Sequence, residues 1–145
     1  YATTSVYFIA VLNGDLIPSL SAVQFEVSNW PATAGQGLIT YAWNTQLVIG
    51  TPDTDMALAF NPPLTAPLAF LGQVDFFALN AAWIGNDYEM AVIGSYDAPL
   101  PIIVRFSDAS EIYVPGGHFT FNCTGSCPCE TATAESSWGS VKALY

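Results

Sequence analysis

Residues 21–29, Ser21-Ala22-Val23-Gln24-Phe25-Glu26-Val27-Ser28-Asn29, alternate without a break. On an extended chain Val23, Phe25 and Val27 point to one side, and Ala22, Gln24 and Glu26 to the other. This two-residue period defines a strand with one buried face and one wet face. Trp30-Pro31 ends it, because proline has no N–H for a ladder and holds the preceding residue extended. Most of the chain repeats the same grammar: a short run of Val, Ile, Phe or Tyr, then Gly, Pro, Asn or Asp.

Read in order, residues 4–12 are nearly continuous apolar and predict a strand buried on both faces. Asn13-Gly14-Asp15 is a turn. Residues 38–43 and 46–49 predict a hairpin around Asn44-Thr45, and residues 56–60 a short strand. The proline-rich stretch 61–67 predicts an extended connector or an edge, not a central strand. Residues 68–79 form the longest β-like run, with Gly72 as a bulge or bend. Residues 80–87 have room for one helical turn. Strands follow at 88–96, 100–106, 111–114 and 118–122. About nine or ten short strands at this spacing predict an all-β, antiparallel β-sandwich of jelly-roll or Ig-like type. The expected domain covers residues 1–122, and residues 1–12 are a candidate for exchange between copies. Residues 123–145 form a Cys-containing tail, expected to be ordered. Ser136-Ser137 would cap a last helical turn carrying Trp138, Val141 and Tyr145, with Leu144 beside them.

Charge narrows the function classes. The chain has 145 residues, enough for one domain, with 12 Asp and Glu against 2 Lys and Arg. Arg105 and Lys142 cannot build a basic patch, so phosphate-driven nucleic-acid binding and attraction to anionic membranes are excluded. Charged residues are 10% of the chain, against about 25% in ordinary soluble domains. Hydroxyls and amides solvate such a surface, or neighbouring subunits cover part of it. No apolar run reaches the length of a membrane helix, so membrane insertion is not expected. The chain begins at Tyr1, which reads as the end left by removal of an export signal.

Few stretches offer chemistry. Cys123, Cys127 and Cys129 lie within seven residues of sequence, Cys123-Thr-Gly-Ser-Cys127-Pro-Cys129. With His118 they form one zinc-ligand possibility. In an exported chain the commoner use is a disulfide, Cys123 with Cys127 or with Cys129, leaving one sulfur for a buried thiol or a link to another subunit. Asn122-Cys123-Thr124 fits the N-glycosylation pattern. Asp53 and Asp55 share a loop and are weak calcium candidates; no metal and no cofactor is expected. His118 is the sole imidazole, and there is no Gly-x-Ser-x-Gly elbow, so no catalytic residue is assigned.

The segments Leu20-Ser-Ala-Val-Gln-Phe-Glu-Val, Phe70-Leu-Gly-Gln-Val-Asp-Phe and Gly116-Gly117-His-Phe-Thr-Phe stand in an order that resembles the cohesin-like jelly-roll sandwiches of secreted bacterial proteins, over residues 5–122. The ending Trp138-Gly139-Ser-Val-Lys142-Ala-Leu144-Tyr145 resembles that of uncharacterised exported bacterial proteins, and implies export. The expected function is a non-enzymatic structural subunit of an extracellular or cell-surface assembly. It would be a filament whose partners are copies of this chain, joined by exchange of a strand or of the tail. Val6, Phe8, Ile9, Trp138, Val141, Leu144 and Tyr145 are the expected assembly residues. The alternative is a cohesin-like module binding a protein or a glycan, with calcium as an aid.

Overall fold

The computed structural model describes residues 2–125. Among these residues there are ten strands and no helix. They are β1 (Ala2–Val11), β2 (Ser19–Val27), β3 (Gly37–Trp43), β4 (Leu47–Thr51), β5 (Asp55–Thr65), β6 (Leu68–Ala78), β7 (Tyr88–Ile93), β8 (Ile102–Arg105), β9 (Glu111–Tyr113) and β10 (His118–Phe121). All pairings are antiparallel. A three-stranded sheet has the order β1-β6-β3. The larger sheet runs β10-β7-β2-β5-β4, with β8 and β9 branching from β2. The protein is a β-sandwich.

The alternating strand is β2, the hub of the larger sheet. One of its edges pairs with β5. The other pairs with β8 along residues 20–24 and with β7 at Glu26 and Val27. Val23, Phe25 and Val27 are buried, as their period requires. Leu20 is buried too, three residues from Val23, because the register slips between Leu20 and Ala22 and turns the chain by one residue. The N–H of Val27 donates to the carbonyl of Pro52 at 2.6 Å, so the loop after β4 closes the end of β2.

Aromatic rings join the two sheets. Phe8 of β1 stacks on Phe25 of β2 with centroids 5.7 Å apart. Phe76 of β6 meets Phe121 of β10 edge-on at 5.0 Å and Trp30 at 5.3 Å. Such contacts add to the burial of large apolar area. Gly72 lies at the expected bulge: Phe8 faces Gly72 but Ile9 faces Phe70, so Leu71 is the extra residue. A Cβ on Gly72 would lie 2.5 Å from the Trp43 ring.

Several expectations are corrected. Residues 4–12 are not buried on both faces: Val6, Phe8 and Leu12 are buried, whereas Tyr7, Ile9 and Val11 are exposed. β1 is an outer strand with the core on one side only, and its second apolar face is left in solvent. β3 and β4 are not a hairpin, since β3 pairs with β6 and β4 with β5. Residues 44–46 cross from one sheet to the other, each end tied by its own polar side chain. Asn44 donates from its backbone N–H to Leu71 O (2.9 Å) and from Nδ2 to Phe70 O (3.0 Å), both on β6. Thr45 Oγ1 donates to Ala59 O of β5.

Of the two expectations for 61–67, an extended connector or an edge, the edge holds at the prolines 62 and 63, which lie inside β5. They fall beyond Ala59, where the pairing with β4 has ended, so β5 needs no donor on that side. Residues 80–87 hold no helix. Asn80 and Trp83 close a single turn through a 3.0 Å backbone bond, and Asn80 Oδ1 accepts from the Ala82 N–H.

Candidate interaction surface

Among the described residues β1 pairs only with β6, and β4 only with β5. Both therefore present an open edge. Sheet edges are templates for another chain, and natural proteins guard them with lysine, proline or a covering loop. Neither β1 nor β4 contains a charged residue or a proline.

Each open edge borders exposed apolar side chains. On β1 these are Tyr7 (59% exposed), Ile9 (49%) and Val11 (51%). Register places Ile9 beside Phe70 and Val11 beside Leu68 on β6, and both neighbours are also exposed. The rings of Tyr7 and Phe70 are 6.4 Å apart. The shelf ends at a polar cluster, where Ser5 Oγ and Gln73 Nε2 each donate to Asp75 Oδ1 at 2.6 Å. On β4 all five residues are exposed, with Leu47 at 61% and Ile49 at 74%. These two pair with Ala59 and Ala57, so they share the outer face, while Val48 pairs with the buried Leu58.

The residues singled out from sequence divide. Val6 and Phe8 belong to the protein's own core, while Ile9 is on the exposed shelf. Cys127, Cys129, Trp138, Val141, Leu144 and Tyr145, and with them the ordered tail, lie outside the described residues. Cys123 is half-buried, its Sγ 3.0 Å from the Gly125 carbonyl oxygen. Asp53 is exposed; Asp55 Oδ1 accepts from Gln24 Nε2 at 3.2 Å. Among the described residues no three His, Cys, Asp or Glu gather as a metal site would need. His118 is exposed at the start of β10, opposite Ala91. Sequence reasoning missed Tyr7, Val11, Leu47, Ile49, Leu68 and Phe70 as surface. Their signal was an apolar run on strands that prove to be outermost, or next to outermost, in their sheets.

A cleft of about 470 Å³ opens at one end of the sandwich between Phe76, Trp83, Ile84 and Phe121. Trp83 is fixed there by its Nε1 donating to Ala32 O at 2.8 Å. Beside the cleft the chain leaving β10 is fastened to the loop before β7. Asn122 Nδ2 donates to Ile84 O (2.8 Å), so the amide of the glycosylation tripeptide is engaged within the fold. Asp87 accepts from the Thr124 hydroxyl at 2.5 Å and from its backbone N–H at 2.8 Å. The hydroxyl first, then the N–H, hold the Asp87 carboxyl below its ordinary value. A depressed carboxyl stabilises the fold above its unfolded value and loses that effect as pH falls through its folded value. The Thr124 amide resonance should therefore titrate with a midpoint below about 3.9, the ordinary Asp value. A midpoint above that value would show that the clasp does not form.

Comparison with family models, with curated proteins and with solved structures returns no match for this chain.

Proposed function

We propose that this protein is a non-enzymatic structural subunit of an extracellular or cell-surface assembly, built from copies of itself. The observation that carries the reading is that β1, β3 and β4 are uncharged open edges, each bordered by exposed apolar residues. Contiguous apolar surface of this kind marks interaction sites in soluble proteins. The chain's two cations leave it little means of guarding such edges, and its poverty in charge fits a surface that neighbours cover. In the exchanged version, β1 of one copy would take the place beside β6 of the next. Phe8 would then fill the neighbour's core as it fills its own. A bridge from Cys123 to Cys127 or Cys129 would leave one sulfur to link copies. The resemblance to exported proteins supports the location.

Sedimentation of the purified chain, with and without reductant, tests the reading. Mass should rise with concentration, and the rise should survive reductant if strand contacts rather than sulfur hold the copies. A single monomeric species across the accessible range would overturn it. The cleft beside Trp83 favours a second reading, a module that binds a protein or glycan. That reading predicts a monomer whose thermal midpoint rises with ligand, and calcium is the first ligand to titrate.

A further inference from the structure

The cleft at the end of the sandwich is where the described chain finishes. Phe76, Trp83, Ile84 and Phe121 line it, and so does Asn122, the first residue after β10. The exit from the fold is fixed at this point. The Asp87 N–H donates to Asn122 O at 3.2 Å, Asn122 Nδ2 donates to Ile84 O, and the Asp87 carboxylate holds Thr124. Residues 126–145 therefore set out from the rim of an uncharged, largely aromatic hollow.

We infer that residues 138–145 dock in the cleft of their own copy, with the Trp138 indole inside it. The contact is made within one chain and does not depend on assembly of copies. Tethering favours it. Residues 126–137 can span up to about 40 Å when extended, and a segment held so near meets its site at an effective concentration on the order of mM. Pattern favours it. Trp138, Val141 and Tyr145 recur at the spacing of one helical face, which suits an amphipathic segment laid in an apolar hollow. The volume of about 470 Å³ is that of an ordinary ligand pocket, about 300–1,000 Å³. Charge favours it as well. Residues 2–125 hold ten Asp and Glu against Arg105, whereas Lys142 is the one charged side chain of residues 136–145. A cationic segment thus meets an acidic body, with Asp87 at the rim of the cleft. The shelf of Tyr7, Ile9 and Phe70 is a poorer seat, because it lies on the outer face of the small sheet while the chain leaves from the large one.

Trypsin has two sites in this chain, after Arg105 and after Lys142. Arg105 ends β8, so cutting there reports loss of the fold, whereas cutting after Lys142 reports release of the docked segment. Full-length Trp138→Ala and Ala81→Arg test the contact, the second placing a long cation on an exposed residue of the cleft lining. Each variant should be cut after Lys142 at least about tenfold faster than the unaltered chain, with Arg105 intact, since proteolysis follows the population of the open form. Three equal rates would overturn the docking, and so would an Ala81→Arg chain that is folded yet cut no faster. Protection that grows with protein concentration would seat the segment in a neighbour's cleft and overturn it too. If Ala81→Arg does not fold, nuclear Overhauser contacts between the Trp138 indole and the Ile84 methyls of the unaltered chain decide, and their absence overturns the proposal.

Discussion

Phe76→Ala should lower the stability of the fold by about 3–5 kcal/mol, the usual cost of truncating a buried aromatic residue. Phe76 is 2% exposed on the central strand of the small sheet. Its ring touches Trp30, Trp83 and Phe121, which come from two loops flanking the strands and from the far sheet. No single neighbour can move into the space, because each is also held elsewhere. Trp83 is tied to Ala32, and Phe121 packs on Phe119 with centroids 4.7 Å apart. The loss is a large share of a typical domain's total stability of about 5–15 kcal/mol. Urea denaturation should show a lower midpoint at unchanged slope. A loss under about 1 kcal/mol would mean that the aromatic cluster around Phe76 is not the core.

Gly50→Ala should be the more damaging of two glycine substitutions that share one backbone shape. Gly35 and Gly50 both have φ of 76°, in the left-handed region. A side chain there costs about 1–2 kcal/mol. At Gly35 nothing lies within 4 Å of an added Cβ, so Gly35→Ala should show that cost alone. At Gly50 the Cβ would lie 1.7 Å from the Asp55 carbonyl oxygen. Gly50 faces Met56 and Thr51 faces Asp55 in the β4–β5 ladder, so the clash falls on the ladder itself. The total should reach roughly 2–4 kcal/mol, within the range that backbone strain produces. Thermal melting of the two variants side by side gives the comparison. Equal melting shifts would contradict the β4–β5 geometry.

What the sequence made readable was local. The period of β2 depends on neighbours two residues apart, and it identified the buried face correctly. Gly72 marked its bulge because a glycine inside a long strand run has few other uses. The allocation of strands to sheets was not local. The hairpin around Asn44-Thr45 was the wrong reading because an Asn-Thr pair between two apolar runs looks the same whether the chain folds back or crosses over. What decides is that Asn44 finds carbonyls on β6 and Thr45 finds one on β5, contacts 14 to 26 residues away in sequence. The exposed apolar surface was half legible. Ile9 lies on it, but Val6 and Phe8, grouped with it from the sequence, are buried, since a run apolar at every position does not say which face turns inward. The clasp of Asp87 on Thr124 spans 37 residues and left no mark on either segment.

The crossing at residues 44–46 has a last consequence. By holding β3 and β4 on one flank and leaving β1 alone on the other, it makes the two flanks of the sandwich unlike. One flank displays a ten-residue strand beside an aromatic shelf, the other a five-residue strand carrying Leu47 and Ile49. Any assembly joined through these flanks would inherit that asymmetry, and its two ends would grow at different rates.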